Sequence, residues 1–489
     1  MLGALALALR AEAPQTQPET SVPKPSATPA ATASSDPFVK DPATRDAANE
    51  TEVLTCHTIF ESYVLDKNDA QAVLEAERGD AARYHRVLDL AQAGKARLEI
   101  LTGYTAKSGQ RSVVEAVDEV RYPTEFAPPG NAKGIPFPTA WETRNVGDTL
   151  EMEPVIQAEG RTCDLNLVPQ RVSLVGFRDE PGTPGTLATS QPIFDTQKLT
   201  TAISTVDGQP TFLGTFSRST PGGAANGSGP SEVSLAFLHV SVVNIPAGKT
   251  PAKPATPGLV DFSYSFYSVD RADAREMLVA PASVNAPWEK LQALLTAKKA
   301  RLEHVSTIKT KSGQRAVTEE IREVRYATEF NAPGSLSKTD NTKRTITSEV
   351  TAQPGLDPKK TTTTETTTVK HSTPDDPQFP GYATAFETRN IGVTVEVEPV
   401  VGPDGVTIDL NEIVQSIKDC GFTRATGVAA HYPQPPLFES AKIITSQTVP
   451  AGAHVFVSTM NPPGADGVND RPDTGRTWVL FVRATVSDR

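Results

Sequence analysis

KARLEILTGYTAKSGQRSVVEAVDEVRYPTEF, residues 95–126, returns as KARLEHVSTIKTKSGQRAVTEEIREVRYATEF, residues 299–330, at a constant offset of 204 and without a gap. A period near 200 residues is too long for a solenoid, so the chain reads as two tandem copies of one domain-sized unit. Within each copy the SGQR turn, at 108–111 and 312–315, leads into an alternating run that predicts a half-buried strand.

Upstream, IFESYVLDKNDAQAVL (59–74) and SYSFYSVDRADAREML (263–278) share one grammar. An alternating apolar strand passes into an Asp-led helix start at Asp66 and Asp270. A second helix is expected from the stripe Tyr84, Val87, Ala91 and Leu98, matched by Trp288, Leu291, Leu295 and Leu302, with β structure from Lys107 onward. Asn285 and Pro287 supply a cap and an early-turn proline in the second copy.

Downstream the copies differ in length and rejoin at WETRNVGDTLEMEPVI (141–156) and FETRNIGVTVEVEPVV (386–401). There Leu150, Met152, Val395 and Val397 point to one face and Glu151, Glu153, Glu396 and Glu398 to the other. The extra length of the second copy, the Thr-rich insertion 335–375, reads as a long β-hairpin or as an unstructured linker. Turns at Glu159-Gly160, Asp404-Gly405 and Asp207-Gly208 separate further strands.

The expected fold class is α+β, mainly β: two tandem repeats, each with one or two N-terminal helices followed by antiparallel strands and hairpins. Residues 1–13 read as a truncated secretory signal, with an alanine-rich tail as the alternative, and 14–54 as a Pro/Ala/Thr-rich linker. The first module spans 55–245, a linker 246–258, and the second module 259–489.

A net charge of −11 repels phosphate backbones, so no nucleic-acid partner is expected. Cys56, Cys163 and Cys420 show no CxxC spacing, so neither a zinc site nor a disulfide framework is expected, and they read as isolated buried or surface thiols. The seven histidines read as ordinary surface or strand residues, and Asp466, Asp470 and Asp473 as an exposed acidic loop. No catalytic motif is present, so no catalytic residue, cofactor, metal or small-molecule substrate is expected.

The order of elements resembles the C-terminal module of bacterial secretins, the ring-forming outer-membrane gates of type II and type III secretion and type IV pilus systems. In the first copy the resemblance rests on Val146-Gly147, Leu150, Glu153-Pro154, Asp164-Leu165, and Asp207-Gly208-Gln209 through Leu213-Gly214. In the second it rests on Ile391-Gly392, Val395, Glu398-Pro399, Asp404-Gly405 and Asp409-Leu410. It covers 85–243 and 288–487. Secretin modules follow the hairpin with a Leu/Pro/Gly segment; here 217–232 and 461–476 stand in its place, and Ser458 replaces a gate glycine.

The resemblance implies a non-enzymatic, exported protein in the periplasm or outer membrane of a Gram-negative-type bacterium. It would serve protein secretion or pilus-type assembly by β-sheet-mediated oligomerisation, with itself or secretion-system components as partners. The alternative is a soluble periplasmic or extracellular binding or adhesion module without pore formation. Charged and polar residues that recur at matched positions are the interaction or structural candidates: Arg121, Glu125, Arg144, Asn145 and Glu153, with Arg325, Glu329, Arg389, Asn390 and Glu398. They read as contacts joining subunits or sheets, or as staples within each copy.

Overall fold

The computed structural model describes residues 52–127, 136–180, 189–217, 232–246, 258–332, 334–335, 338–349, 360–371, 378–379, 381–422, 432–460 and 475–487. The signal-like segment, almost all of the first linker, most of the second linker and the Asp466–Asp473 loop lie outside them.

The first half contains β1 (Glu52–Asp66), α1 (Lys67–Ala76), α2 (Asp80–Gln92), β2 (Ala96–Lys107), β3 (Ser112–Ala127), β4 (Phe137–Ile156), β5 (Thr162–Glu180), β6 (Thr189–Lys198), β7 (Thr201–Val206), β8 (Pro210–Ser217) and β9 (Glu232–Pro246). The second half contains β10 (Leu259–Asp270), α3 (Arg271–Leu278), α4 (Ala286–Thr296), β11 (Arg301–Lys311), β12 (Ala316–Asn331), β13 (Gly334–Ser335), β14 (Lys338–Glu349), β15 (Lys360–His371), β16 (Gln378–Phe379), β17 (Tyr382–Val401), β18 (Thr407–Phe422), β19 (Pro436–Pro450), β20 (His454–Thr459) and β21 (Arg476–Ser487). The fold is α+β and mainly β.

Two antiparallel sheets face each other. One runs β11-β10-β21-β20-β2-β1-β9-β8, and the other β12-β17-β18-β19-β3-β4-β5-β6 with β7 beside β5. Cys56, Phe60 and Tyr104 from the first sheet meet Leu150, Met152 and Cys163 from the second, and Val260, Phe262 and Tyr264 share the same core with Val395, Val397 and Ile408. Each such large side chain contributes about 1.5–3 kcal/mol on burial.

Alternate residues of β1 point the other way. Tyr63 and Leu65 pack with Ala70 and Val73 of α1 and Tyr84 and Val87 of α2. Tyr267 and Val269 pack with Met277 and Leu291 of α3 and α4 in the same manner. The first sheet is therefore covered on both faces where the helices pack, which is why β1 is buried continuously from Thr55 to Leu65 and β10 from Tyr264 to Val269.

The Asp caps form as expected: Asp66 accepts from Asn68 N at 2.8 Å and Asp270 from Ala272 N at 2.9 Å. Asn285 occupies its cap position without a side-chain bond. The expected second helix runs too far, because Leu98 and Leu302 lie on β2 and β11 and strand structure begins before Lys107. Gly94 (φ 72°) and Lys298 (φ 58°) turn left-handed and end the helices there. Of the insertion, β14 and β15 pair from Lys338↔His371 to Glu349↔Lys360, so the described part is a hairpin.

Matched positions carry matched irregularities. The β1–β2 register slips between Ser62 and Tyr63, and the β10–β11 register between Phe266 and Tyr267, at the offset of 204. Gly147 (φ 137°) and Gly392 (φ 135°) sit where a Cβ would lie 2.2 Å from Ala116 O and 2.0 Å from Glu320 O. These glycines let β4 and β17 cross close to β3 and β12.

Candidate assembly interface

Residues Thr51–Arg489 form one compact unit, and both sheets pass from one half to the other without a break. In the second sheet β19 pairs with β3 from Phe438↔Glu119 to Ile444↔Val113. In the first, β20 meets β2 at Tyr104↔Ser458. Hydroxyls complete that join: Gly103 N donates to Thr459 Oγ1 at 3.1 Å and Ser458 Oγ to Gly103 O at 3.0 Å, while Thr445 Oγ1 of β19 donates to Thr105 O of β2 at 2.8 Å between the sheets.

Side chains lock the seam at two levels. Glu61 of β1, fully buried, lies 2.9 Å from Arg275 Nε of α3 and accepts from Tyr84 Oη at 2.7 Å. Burial works to raise the Glu61 pKa, but the bond from His239 and the Arg275 charge bring it below the usual carboxylate value. His57 Nε2 is 2.8 Å from Leu278 O, and burial lowers its pKa to about 4. His57 and His239 are thus strand residues, as one of the two readings had it, and both are buried in the core.

Further along, the Arg121 guanidinium sits 4.0 Å from the Tyr326 ring centroid and 3.9 Å from Glu387 Oε2, which accepts from Tyr326 Oη at 2.9 Å. Arg389 pairs with Glu119. Two of the recurring arginines therefore cross between halves. Arg144 and Arg325 are exposed. Glu125, Asn145, Glu153, Glu329, Asn390 and Glu398 are exposed or half-buried and make none of the cross-half contacts described here.

The seam joins unlike edges. The second half offers β19 and β20, and the first half offers β3 and β2. By register, β6–β7 and β8 of the first half occupy the places of β19 and β20, while β12 and β11 of the second occupy those of β3 and β2. Those five strands stand at the two ends of the sheets, each paired on one side among the described residues.

Burial follows this pattern. Leu101 on β2 is 1% exposed, whereas Val305, at the same place on β11, is 43% exposed. Leu437 on β19 is 0% exposed, and Ile193, at its place on β6, is 43%. Val317 on β12 and Leu302 on β11 are exposed as well. Edge strands with exposed apolar residues are templates for further pairing.

No family model matches the chain, and no curated protein matches it. Among solved structures it is similar to the type II secretin GspD from enteropathogenic Escherichia coli (12% identity, 40% of this chain and 68% of that chain, TM-score 0.17). It is also similar to the InvG secretin domain β-barrel from the Salmonella SPI-1 injectisome (10%, 65% and 88%, TM-score 0.21). The third is the Vibrio cholerae type IV competence pilus secretin PilQ (10%, 90% and 61%, TM-score 0.18). The chain spans about half the length of two further GspD chains it matches, 50% and 49%. The matched structures are secretins, but superpositions this loose carry no argument about the site, which rests on the chain's own geometry.

Seam residues such as Glu61 and Arg275 escaped the sequence reading because it rested on positions that stay the same between copies, and these two do not. The usable signal was the reverse. Glu61 and Arg275 have Ser265 and Gln71 at their matched positions, so a residue pair unique to the internal seam differs between copies.

Proposed function

We propose that the chain is a non-enzymatic, secretin-like envelope protein that self-associates head to tail, the β6–β8 end of one copy extending the sheets of the next at β11–β12. The observation that carries this reading is the seam itself: one unlike-edge junction is already made inside the chain, and both of its halves are presented again at the ends. Unlike-edge contacts close into rings when the rotation permits and otherwise propagate as filaments.

Charge supports the pairing. Placing β6 on β12 in the register of β19 on β3 sets Asp195 opposite Arg322 and Lys198 opposite Glu319. The same transfer brings Arg144 to Glu323, as Arg389 meets Glu119, and Arg325 to Tyr122 and Glu142, as Arg121 meets Tyr326 and Glu387. These residues are exposed or partly exposed in the single chain.

The role is assembly at the envelope, in protein secretion or pilus-type systems, with copies of itself or secretion components as partners. Charged residues on the exposed face of β11, Arg301, Lys309 and Lys311, favour a water-facing surface over a lipid-facing one at this end. No helix among the described residues is long and apolar enough to cross a membrane.

Analytical ultracentrifugation over a range of concentrations tests the proposal. Rings or filaments larger than a dimer are expected, and a strict monomer at high micromolar concentration would leave the binding-module alternative.

A further inference from the structure

The isolated-thiol reading fails for two of the three cysteines. Cys56 of β1 and Cys163 of β5, far apart in sequence and on opposite sheets, place their Sγ atoms 3.9 Å apart. Both are fully buried. Cys420 lies elsewhere, near Glu439.

The matched positions in the second half are Val260 and Ile408. Both are fully buried in the same core. The pattern at this pair of inward positions, one on each sheet, is therefore aliphatic in one half and cysteine at both places in the other. With three cysteines in 489 residues, two of them meeting at such a pair calls for a reason beyond packing volume.

We infer that Cys56 and Cys163 form a disulfide that staples the two sheets of the first half when the chain folds in an oxidising compartment. That setting follows from the exported reading above, but the geometry does not depend on it. A dithiol oxidant carrying its own disulfide supplies the chemistry. One protein thiolate attacks an oxidant sulfur and releases one oxidant thiolate. The second protein thiolate then displaces the remaining sulfur, so two protein thiols become one disulfide, the oxidant disulfide becomes two thiols, and two protons pass to the departing sulfurs.

Timing is constrained by the core. In the closed sandwich the contact with Cys56, and then burial, hold the Cys163 thiol far above its ordinary value, so the reactive thiolate is available only before the sheets close. The loop tied off runs through α1, α2 and β2–β4, so the bond anchors β1 against the second sheet.

The test is to express the full chain in parallel in a host with a reducing cytosol and in one with an oxidising cytosol. Each product is alkylated under denaturing conditions without reductant and mapped after trypsin. The oxidising host should give the peptide 46–67 linked to 162–171, lighter by two hydrogen atoms than the sum of the free peptides, with Cys420 alkylated. Reductant should lower the thermal midpoint of that product by roughly 3–8 °C.

The double substitution Cys56→Val with Cys163→Ile, which copies the second half, should behave alike from both hosts. Recovery of both cysteines individually alkylated from folded protein made in the oxidising host would overturn the inference. Because this readout does not use assembly, it fails or succeeds independently of the head-to-tail proposal.

Discussion

Arg275 Nε stands 2.9 Å from Glu61 Oε1 across the seam, joining a helix of the second half to a fully buried carboxylate of the first. Removing the guanidinium leaves that charge in the core with Tyr84, Tyr63 and His239 as its remaining polar neighbours. Arg275→Gln is expected to cost about 3–5 kcal/mol in urea unfolding. The double variant Glu61→Ser with Arg275→Gln, which reproduces the matched pair Ser265 and Gln71, should lose clearly less than the single one. Equal losses would show that the pair is not coupled.

Gly147 and Gly392 test close strand crossing in both halves. A Cβ at either would press on a backbone carbonyl of the neighbouring strand, and φ lies in the left-handed region. Gly147→Ala and Gly392→Ala are each expected to destabilise by about 2–4 kcal/mol. Gly109→Ala, where φ is 75° but nothing lies within 4 Å, should cost only about 1 kcal/mol. Denaturant midpoints of the three variants decide this, and similar losses at all three would assign the effect to φ alone.

Much of the fold was legible in the residues. Period-2 runs such as TLEMEPVI become β4, and the Asp66 and Asp270 caps start α1 and α3. The helix stripe overran because Leu98 and Leu302 continue an apolar pattern across a left-handed turn, and periodicity alone does not register a change of direction at Gly94 or Lys298. The seam was not legible. Which strand of one half meets which strand of the other depends on the pairing of distant edges, and local patterning fixes facing but not neighbours. The meeting of Cys56 with Cys163 was hidden for the same reason, since it follows from sheet stacking.

Charge reversal at the ends probes the assembly register. Asp195→Arg with Lys198→Glu would place like charges against Arg322 and Glu319 of the next copy and is expected to weaken self-association about 10–100-fold. Arg322→Asp with Glu319→Lys should do the same from the other edge. Mixed in equal amounts, the two variants present one wild-type and one doubly reversed junction, both complementary, and sedimentation should recover large species. If mixing fails to rescue, β6 and β12 do not meet in this register. At about 1 M salt the defects should shrink, because the charges are then screened within about 3 Å.

Glu412 carries the last prediction. It is buried beneath Tyr264 Oη at 2.8 Å and Gln447 Nε2 at 2.6 Å, and burial pushes its pKa up to about 7 from 4.5 despite those two bonds. Between these values the folded chain holds a proton that the unfolded chain has lost, so stability falls as pH rises through that window, by about 3 kcal/mol in all. His57 opposes it: its folded pKa of about 4 lies below the unfolded 6.5, so its contribution is present above pH 6.5 and is lost as pH falls towards 4. The two slopes offset one another over most of the range from 4.5 to 6.5. Glu412→Gln keeps an acceptor oxygen for Gln447 Nε2, turns an amide N–H towards Tyr264 Oη, which can accept it, and removes one slope, so the variant should gain stability steadily from pH 4.5 to 6.5 and exceed the wild type at pH 8. Urea midpoints at pH 5, 6.5 and 8 measure this, and a variant that tracks the wild type at all three would show that Glu412 does not hold its proton.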